Sequence, residues 1–330
     1  MPNVSIICPI RNEAKHIAKC LDSIIRQDFP KEKMEILVVD GMSDDGTRRI
    51  VDEYATKNQN IILLDNPKKI VPSAMNIGIN KSKRDIIIWV DGHCYLETNF
   101  VRKCVEKLQS IEDIDCVGGP ICSISNTFVA GGIAIAMSSP FGVGNTKFRY
   151  SKKEGYVDTL AFGAYRREVF DKIGLYDEEL VRNQDDEFNL RLVKAGGKIL
   201  LSPEIKSYYF TRSSLKALWK QYFQYGFWKV RVIQKHKMPA SWRHLIPGAF
   251  VLCLLGSFVL SFYMKTGLLF FFGIFTVYLT SSFIISFFVS SKQGLKYFPL
   301  LPVVFAVLHF SYGIGFLMGL IKFFPRWFQS

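Results

Sequence analysis

Residues 86–93 constrain the fold of this chain most strongly, because a short apolar run stops there at an acid, a glycine and a histidine. Three isoleucines followed by Trp89 and Val90 predict a strand buried on both faces, which is typical of a parallel sheet in an α/β domain. Such sheets bind ligands at the carboxyl ends of their strands. Asp91 and His93 are therefore placed to bind one divalent ion, although an ordinary polar turn explains the same residues.

The first ninety residues alternate between predicted strands and predicted helices. Strands are predicted at residues 4–8, 35–39, 61–64 and 86–90, and amphipathic helices at residues 17–25, 47–57 and 73–80. This βαβαβαβ order predicts a Rossmann-like, mostly parallel, doubly wound sheet. Polar turns at 9–13, 40–45 and 91–93 then meet at one sheet edge, which favours a ligand site. The absence of GxGxxG and GxxxxGK[ST] argues against a classical dinucleotide fold and a P-loop.

Three motifs, two at these turns and one in the predicted helix at 73–80, resemble the opening motifs of family 2 glycosyltransferases. They are Pro9-x-Arg11-Asn12-Glu13, Asp40-Gly41-x-Ser43-x-Asp45-Gly46-Thr47 and Ala74-x-Asn76-x-Gly78. The resemblance implies a GT-A fold and an inverting hexosyltransferase that uses a nucleotide-sugar, with the residue matching Asp40 on uracil or ribose. It also implies that seven of these residues line the nucleotide-sugar site: Pro9, Arg11, Asn12, Glu13, Asp40, Asp45 and Asn76.

The segment Asp91-Gly92-His93 stands where that family has its Asp-x-Asp metal motif. The resemblance implies that Asp91 contacts the nucleotide-sugar and that Asp91 and His93 bind Mn²⁺ or Mg²⁺. Histidine in place of the second acid makes the chain similar to succinoglycan-type exopolysaccharide glucosyltransferases. Because imidazole is a natural ligand of Mn²⁺ and a less natural one of Mg²⁺, the metal's identity stays open.

Two later motifs complete the predicted site. Gly163 and Ala164 resemble the family's Gly-Ala segment near the donor sugar and acceptor, and a tight turn without a ligand is the alternative. Three consecutive acids, Asp185, Asp186 and Glu187, open a predicted helix. The resemblance implies that Asp186 is the general base, with Asp185 as the second choice, whereas the helix dipole alone also favours acids at this place.

Residues 123–156 give weaker signals. The apolar residues 128–137 are too few to span a bilayer and predict a helix that packs against the sheet or faces an acceptor. Lys147, Arg149, Lys152 and Lys153 predict a solvated basic loop.

The positive charge of the chain belongs to its C-terminal part. The net charge is +13, yet residues 1–204 carry 28 basic and 29 acidic side chains, whereas residues 205–330 carry 14 basic ones and no acid. Basic residues between 206 and 243 are interleaved with Trp and Tyr, as in segments at a membrane surface. We therefore predict membrane lipid, and no nucleic acid, as a partner.

Three uncharged apolar runs, at residues 245–263, 267–290 and 299–321, are each long enough to span a membrane. The predicted organisation is a GT-A domain over 1–204, an interface segment over 205–244 and a transmembrane region over 245–330. The positive-inside rule predicts a multi-pass protein of the cell membrane with a cytoplasmic catalytic domain.

The predicted reaction is the transfer of one sugar, from a UDP-hexose, to a polyprenyl-diphosphate-linked glycan in cell-surface or exopolysaccharide synthesis. Two alternatives remain open. One is transfer to polyprenyl phosphate itself, and the other is a membrane scaffold with an inactive nucleotide-binding domain.

Overall fold

A computed structural model describes residues 1–327, so the last three residues of the predicted transmembrane region lie outside the described residues. The chain divides into two compact units. The first contains Met1–Cys122 and Lys147–Phe210, and the second contains Ser123–Thr146 and the residues from Thr211 onward. This division does not coincide with the three predicted domains, whose boundaries stay predictions.

The strands are β1 (Val4–Ile10), β2 (Met34–Asp40), β3 (Ile61–Asp65), β4 (Ile86–Trp89), β5 (Cys94–Leu96), β6 (Cys116–Gly118), β7 (Ile121–Ile124), β8 (Gly155–Tyr156), β9 (Ala164–Arg166), β10 (Ile199–Leu201) and β11 (Ser207–Phe210). Eight of them form one sheet in the order β3-β2-β1-β4-β9-β6-β10-β8, and the order β5-β11-β7 forms a second sheet.

The large sheet is mostly parallel, as predicted. Strand β1 pairs in parallel with β2 and β4, and β2 pairs in parallel with β3. Strand β9 runs antiparallel between β4 and β6. Ile10 pairs with Asp40 and Ile7 with Trp89, so the ends of β1, β2 and β4 lie at one sheet edge.

The helices are α1 (Ile17–Ile25), α2 (Thr47–Lys57), α3 (Val71–Lys81), α4 (Phe100–Ser110), α5 (Phe128–Met137), α6 (Pro140–Val143), α7 (Glu168–Ile173), α8 (Gln184–Lys194), α9 (Leu215–His236), α10 (Ile246–Leu260), α11 (Lys265–Gln293) and α12 (Leu301–Phe323).

Two apolar clusters cover the two faces of the large sheet. Ile6 and Ile88 belong to one cluster, with residues of α1 and α4. Ile7 and Ile87 belong to the other, with residues of α3 and α8. Because successive side chains of a strand point to opposite faces, both clusters draw on the same strands. This explains why residues 86–90 are apolar without alternation.

The second unit contains the long apolar helices. Three of its described helical stretches, Trp242–Leu260, Lys265–Gln293 and Leu301–Arg326, are long and apolar enough to cross a membrane. They match the three predicted spans. Helix α5 groups with these helices rather than with the sheet, so the first of its two expected placements is wrong, and the expectation that it faces an acceptor stays a prediction. Its Gly131 and Gly132 lie directly against Tyr297 and Leu300.

Candidate active site

The loops that follow β1 and β2 are joined to each other. Asn12 has a left-handed backbone with φ of 57°, which asparagine tolerates better than most residues. Four backbone-to-side-chain hydrogen bonds connect the two loops: Asn12 N to Ser43 Oγ (2.8 Å), Asp44 N to Asn12 Oδ1 (3.1 Å), Glu13 N to Thr47 Oγ1 (2.8 Å) and Ala14 N to Asp45 Oδ2 (3.1 Å). The two loops therefore form one connected unit at the sheet edge.

Asp40 lies beneath these loops with a fully buried side chain. Its carboxylate accepts hydrogen bonds from the backbone N–H (2.9 Å) and the hydroxyl of Ser43. The Arg48 guanidinium lies 2.8 Å from Asp40 Oδ2 and 2.8 Å from Asp65 Oδ1. Asp40 thus positions the second loop, and its predicted contact with the nucleotide stays a prediction.

Asp45 stabilises the start of α2. Its Oδ1 accepts hydrogen bonds from the backbone N–H (3.0 Å) and the hydroxyl (2.5 Å) of Thr47. The Thr47 hydroxyl is the main cause of the lowered pKa of Asp45. Pro9 is buried within β1, whereas Arg11 is exposed at the loop surface with its side chain against Gly41. The exposed residues among those predicted for these two loops are Arg11, Asn12 and Asp45.

Asn76 has a buried side chain that connects α3 to a distant segment. Its Nδ2 donates to Tyr176 O (2.9 Å) and Glu178 Oε1 (3.1 Å), and its Oδ1 accepts from Tyr176 N (2.9 Å). These contacts join segments 100 residues apart in sequence. Asn76, a candidate nucleotide-binding residue, therefore has a structural role here.

Asp91 and His93 follow β4, and Glu13 stands beside them. His93 Nδ1 lies 2.9 Å from Glu13 Oε1, and the His93 ring packs edge-on against Tyr209 at 5.1 Å. The Trp89 indole N–H donates to Asp91 Oδ1 at 3.2 Å. A side chain on Gly92 would meet Ile10, since a Cβ there would lie 2.7 Å from Ile10 Cγ2. Gly92 therefore permits the tight turn that brings the two candidate ligands together.

The electrostatics of this corner suit a bound cation. Burial raises the pKa of Asp91, and the nearby His93 and Arg182 lower it. A buried carboxylate is costly in the ionised form unless a positive charge compensates it. A histidine that binds a metal commonly holds its other ring nitrogen against a carboxylate, and Glu13 occupies that place for His93.

Within residues 1–327, no group of three or more His, Cys, Asp or Glu side chains is arranged to hold a metal. Ions such as Mg²⁺ often take only one or two protein ligands and complete their shell with substrate phosphates and water. Asp91 and His93 therefore fit a divalent metal that is bound together with a phosphate-bearing substrate.

Gly163 allows β9 to approach the core closely. A Cβ at this position would lie 2.8 Å from Cys116 Sγ, and Gly163 O accepts a hydrogen bond from Trp89 N at 3.3 Å. Ala164 is fully buried in β9. The structure thus gives both small residues a packing role next to β4, and their predicted contact with a sugar stays a prediction.

Of the three acids at the start of α8, Glu187 has a structural role. Its buried carboxylate pairs with Arg191 through two hydrogen bonds of 2.8 and 3.1 Å. Arg191 also donates to the carbonyls of Ile173 and Leu175. Asp185 and Asp186, which are half-buried, are therefore the two candidates for a base.

The position of Asp185 on α8 directs it toward the sheet. It lies one turn before Phe188 and Asn189, which are fully buried. Its charge contributes to the raised pKa of Tyr165 and of Tyr176, for which burial is the main cause. The Tyr176 ring meets the Trp89 ring edge-on at 6.1 Å, next to Asp91. The charge of Asp185 therefore acts on a ring that contacts Trp89, two residues before Asp91.

Two arginines near Asp91 and His93 were not among the predicted site residues. Arg182 influences Asp91, and Arg149 lies over the ring of Tyr209, which in turn packs on His93. Arg182 could have been suspected because it lies three residues before Asp185. Arg149 gave no such signal, since Tyr209 is distant from it in sequence.

The sequence matches the family described as "Glycosyl transferase family 2" over residues 5–174. The chain belongs to this family. Similarity to a dolichyl N-acetyl-alpha-D-glucosaminyl phosphate 3-beta-D-2,3-diacetamido-2,3-dideoxy-beta-D-glucuronosyltransferase of Methanococcus voltae extends over nearly the whole length. That relative is 34% identical over 326 residues, which cover 97% of each chain. The succinoglycan biosynthesis protein ExoA of Rhizobium meliloti is 29% identical over 244 residues, or 73% of each chain.

A solved structure shows the same fold as this family 2 glycosyltransferase. The mannosyltransferase PcManGT from Pyrobaculum calidifontis, in complex with GDP-Man and Mn²⁺, aligns with a TM-score of 0.61 at 16% identity. The alignment covers 96% of this chain and 87% of that one. The predicted family, GT-A fold and glycosyltransferase class are therefore confirmed.

Proposed function

We propose that this glycosyltransferase is an inverting membrane enzyme that transfers one hexose from a UDP-sugar to a saccharide on a polyprenyl phosphate or diphosphate. The observations that support the proposal are the position of Asp91 and His93 after β4, the charge of Asp185 acting on Tyr176, whose ring meets that of Trp89, and the three long apolar helices. The sequence predicted a diphosphate link, whereas the name of the Methanococcus voltae relative describes a dolichyl phosphate.

An inverting transfer needs one carboxylate to take the proton of the acceptor hydroxyl while its oxygen attacks the anomeric carbon. The bond from that carbon to the diphosphate breaks, and the electron pair leaves with UDP. We assign the base to Asp185 because its charge acts on Tyr165 and Tyr176 beneath the helix, and Asp186 becomes the second choice. No covalent intermediate is required.

Asp91 and His93 would hold the divalent metal, Mn²⁺ or Mg²⁺, and Glu13 would orient the His93 ring. When bound, the cation would neutralise the negative charge that develops on the leaving diphosphate. The joined loops after β1 and β2 give the nucleotide a preformed surface, with Arg11 exposed on it.

We further propose that the catalytic unit lies in the cytoplasm and that the apolar helices cross the cell membrane. The support is the charge distribution, because basic residues without acids follow residue 204 and precede the first apolar helix.

The test measures UDP release and lipid products from membranes that contain the full-length protein. The donors are a panel of UDP-sugars, supplied with Mn²⁺ or Mg²⁺. The acceptors are a polyprenyl-diphosphate glycan, the matching monophosphate and polyprenyl phosphate without sugar. The expected result is metal-dependent release that requires a sugar on the lipid. The Asp185→Asn variant should lose this release. The Asp113→Asn variant, which changes an exposed acid of the same unit, serves as its matched control.

Equal use of polyprenyl phosphate without sugar would replace this proposal with transfer to the lipid phosphate itself. Binding of UDP without release from any donor would instead favour the scaffold function.

A further inference from the structure

The short helical turn Lys147–Arg149 is partly buried, because Phe148 and Arg149 are half-buried. Phe148 packs against the apolar clusters on both faces of the large sheet. Lys147 and Lys152 are exposed, as predicted for a basic loop, but Arg149 is half-buried. The expectation of a solvated loop was therefore wrong for Arg149.

Arg149 lies close to the candidate active site. Its guanidinium carbon is 5.8 Å from the centre of the Tyr209 ring and 5.4 Å from that of Phe148. Tyr209 in turn packs against His93. The thiol of Cys94, whose pKa is raised mainly by burial, is influenced by the charges of Asp91 and Glu13 and, in the opposite direction, by Arg149.

One nitrogen of Arg149 is buried without a partner. Nη1 has no hydrogen-bond acceptor among the described residues. A buried charged donor is costly when it is unpaired. Two acids of this corner are already engaged, Glu13 with His93 and Asp91 with Trp89. The missing acceptor is therefore best supplied by an anionic ligand.

We propose that Arg149 binds a phosphate group of a substrate, next to the Asp91–His93 corner. The planar guanidinium offers paired donors that match phosphate oxygens, and the rings of Phe148 and Tyr209 restrict its orientation. The inference rests on the proposed function, which provides two sources of phosphate: the diphosphate of the donor and the lipid-linked phosphate of the acceptor.

The experiment uses the full-length protein in detergent, with the variants Arg149→Ala and Arg149→Lys. Lys152→Ala is the matched control, because it removes a nearby positive charge that is exposed. Calorimetry measures the affinity for UDP, for inorganic pyrophosphate and for uridine, all with Mn²⁺. A second arm measures KM for the lipid-linked acceptor, and thermal unfolding checks that each variant is folded.

If Arg149 binds the donor diphosphate, Arg149→Ala lowers the affinity for UDP and for pyrophosphate about 10- to 100-fold. The affinity for uridine stays unchanged. If it binds the acceptor phosphate, nucleotide affinity is unchanged and KM for the acceptor rises by a similar factor. In either case Arg149→Lys gives an intermediate loss of affinity, because lysine keeps the positive charge but lacks the paired N–H donors of the guanidinium.

The proposal is overturned if Arg149→Ala leaves both pyrophosphate affinity and acceptor KM within twofold of the Lys152→Ala control. It is also overturned if uridine binding falls as much as UDP binding, because the loss would then be structural. Pyrophosphate binding needs no turnover. An inactive wild-type protein would therefore refute the proposed transferase function and still allow the Arg149 test.

Discussion

The two parts of the candidate site use their polar residues differently. In the loops after β1 and β2, Asp40 and Asp45 accept hydrogen bonds from Ser43, Arg48 and Thr47. At the end of β4, burial raises the pKa of Asp91. The first part therefore uses its carboxylates to build a surface, whereas the second holds a buried carboxylate that we propose binds the metal. Substitutions in the first part should act on stability, and those in the second on turnover.

The largest effect is expected from Asp185→Asn, in the second part. Loss of a general base lowers kcat by about 10²- to 10⁴-fold, and we expect KM for the donor to change little. Asp186→Asn, the neighbouring acid on the same helical turn, is the control and should keep most of the activity. Steady-state kinetics of UDP release measure both variants. The reverse order of the two losses would restore Asp186 as the base.

The second effect concerns the metal ligands. His93→Ala should weaken Mn²⁺ binding and raise the Mn²⁺ concentration needed for half-maximal activity. Glu13→Gln, which changes only the partner of His93, should lower the affinity for the metal about 10- to 100-fold. His93→Asp should shift the preference from Mn²⁺ toward Mg²⁺. Titration of free Mn²⁺ by electron paramagnetic resonance gives the affinities, and unchanged values in all three variants would remove His93 from the site.

The sequence predicted the first half of the fold closely, because that half depends on local patterns. The helix at 47–57 and the strands around 36, 63 and 88 follow from spacing and apolar runs that need no distant partner. Helix α5 was harder to place. It consists of apolar and small residues on all sides, so no polar face indicates which neighbour it covers.

The same limit explains what the sequence could and could not indicate about the site. Asp91 and His93 were visible because they follow a strand directly. The structural role of Asn76 was not visible, because its partner Tyr176 lies 100 residues away. Arg149 was assigned to a solvated loop for the same reason, since Tyr209 covers it from a strand 60 residues later.

A third effect tests whether Asn76 belongs with the structural residues. Asn76→Ala should lower the free energy of unfolding by about 1–3 kcal/mol, because it leaves the buried N–H of Tyr176 without its acceptor. The affinity for UDP should be unchanged in the folded fraction. Chemical denaturation and calorimetry measure the two quantities. Loss of UDP binding at unchanged stability would instead support the direct nucleotide contact that the motif predicts.

The smallest effect is a pH dependence at Asp45. The Thr47 hydroxyl lowers the pKa of this carboxylate, so the ionised form is favoured in the folded state. Its contribution to stability is therefore present above the unfolded pKa of about 3.9 and is lost as pH falls through the lower folded value. The melting temperature of the wild type should exceed that of Asp45→Asn by about 2–4 °C at neutral pH. The difference should shrink below pH 4, and a difference that stays constant to pH 3 would show that the contacts of Asp45 do not depend on its charge.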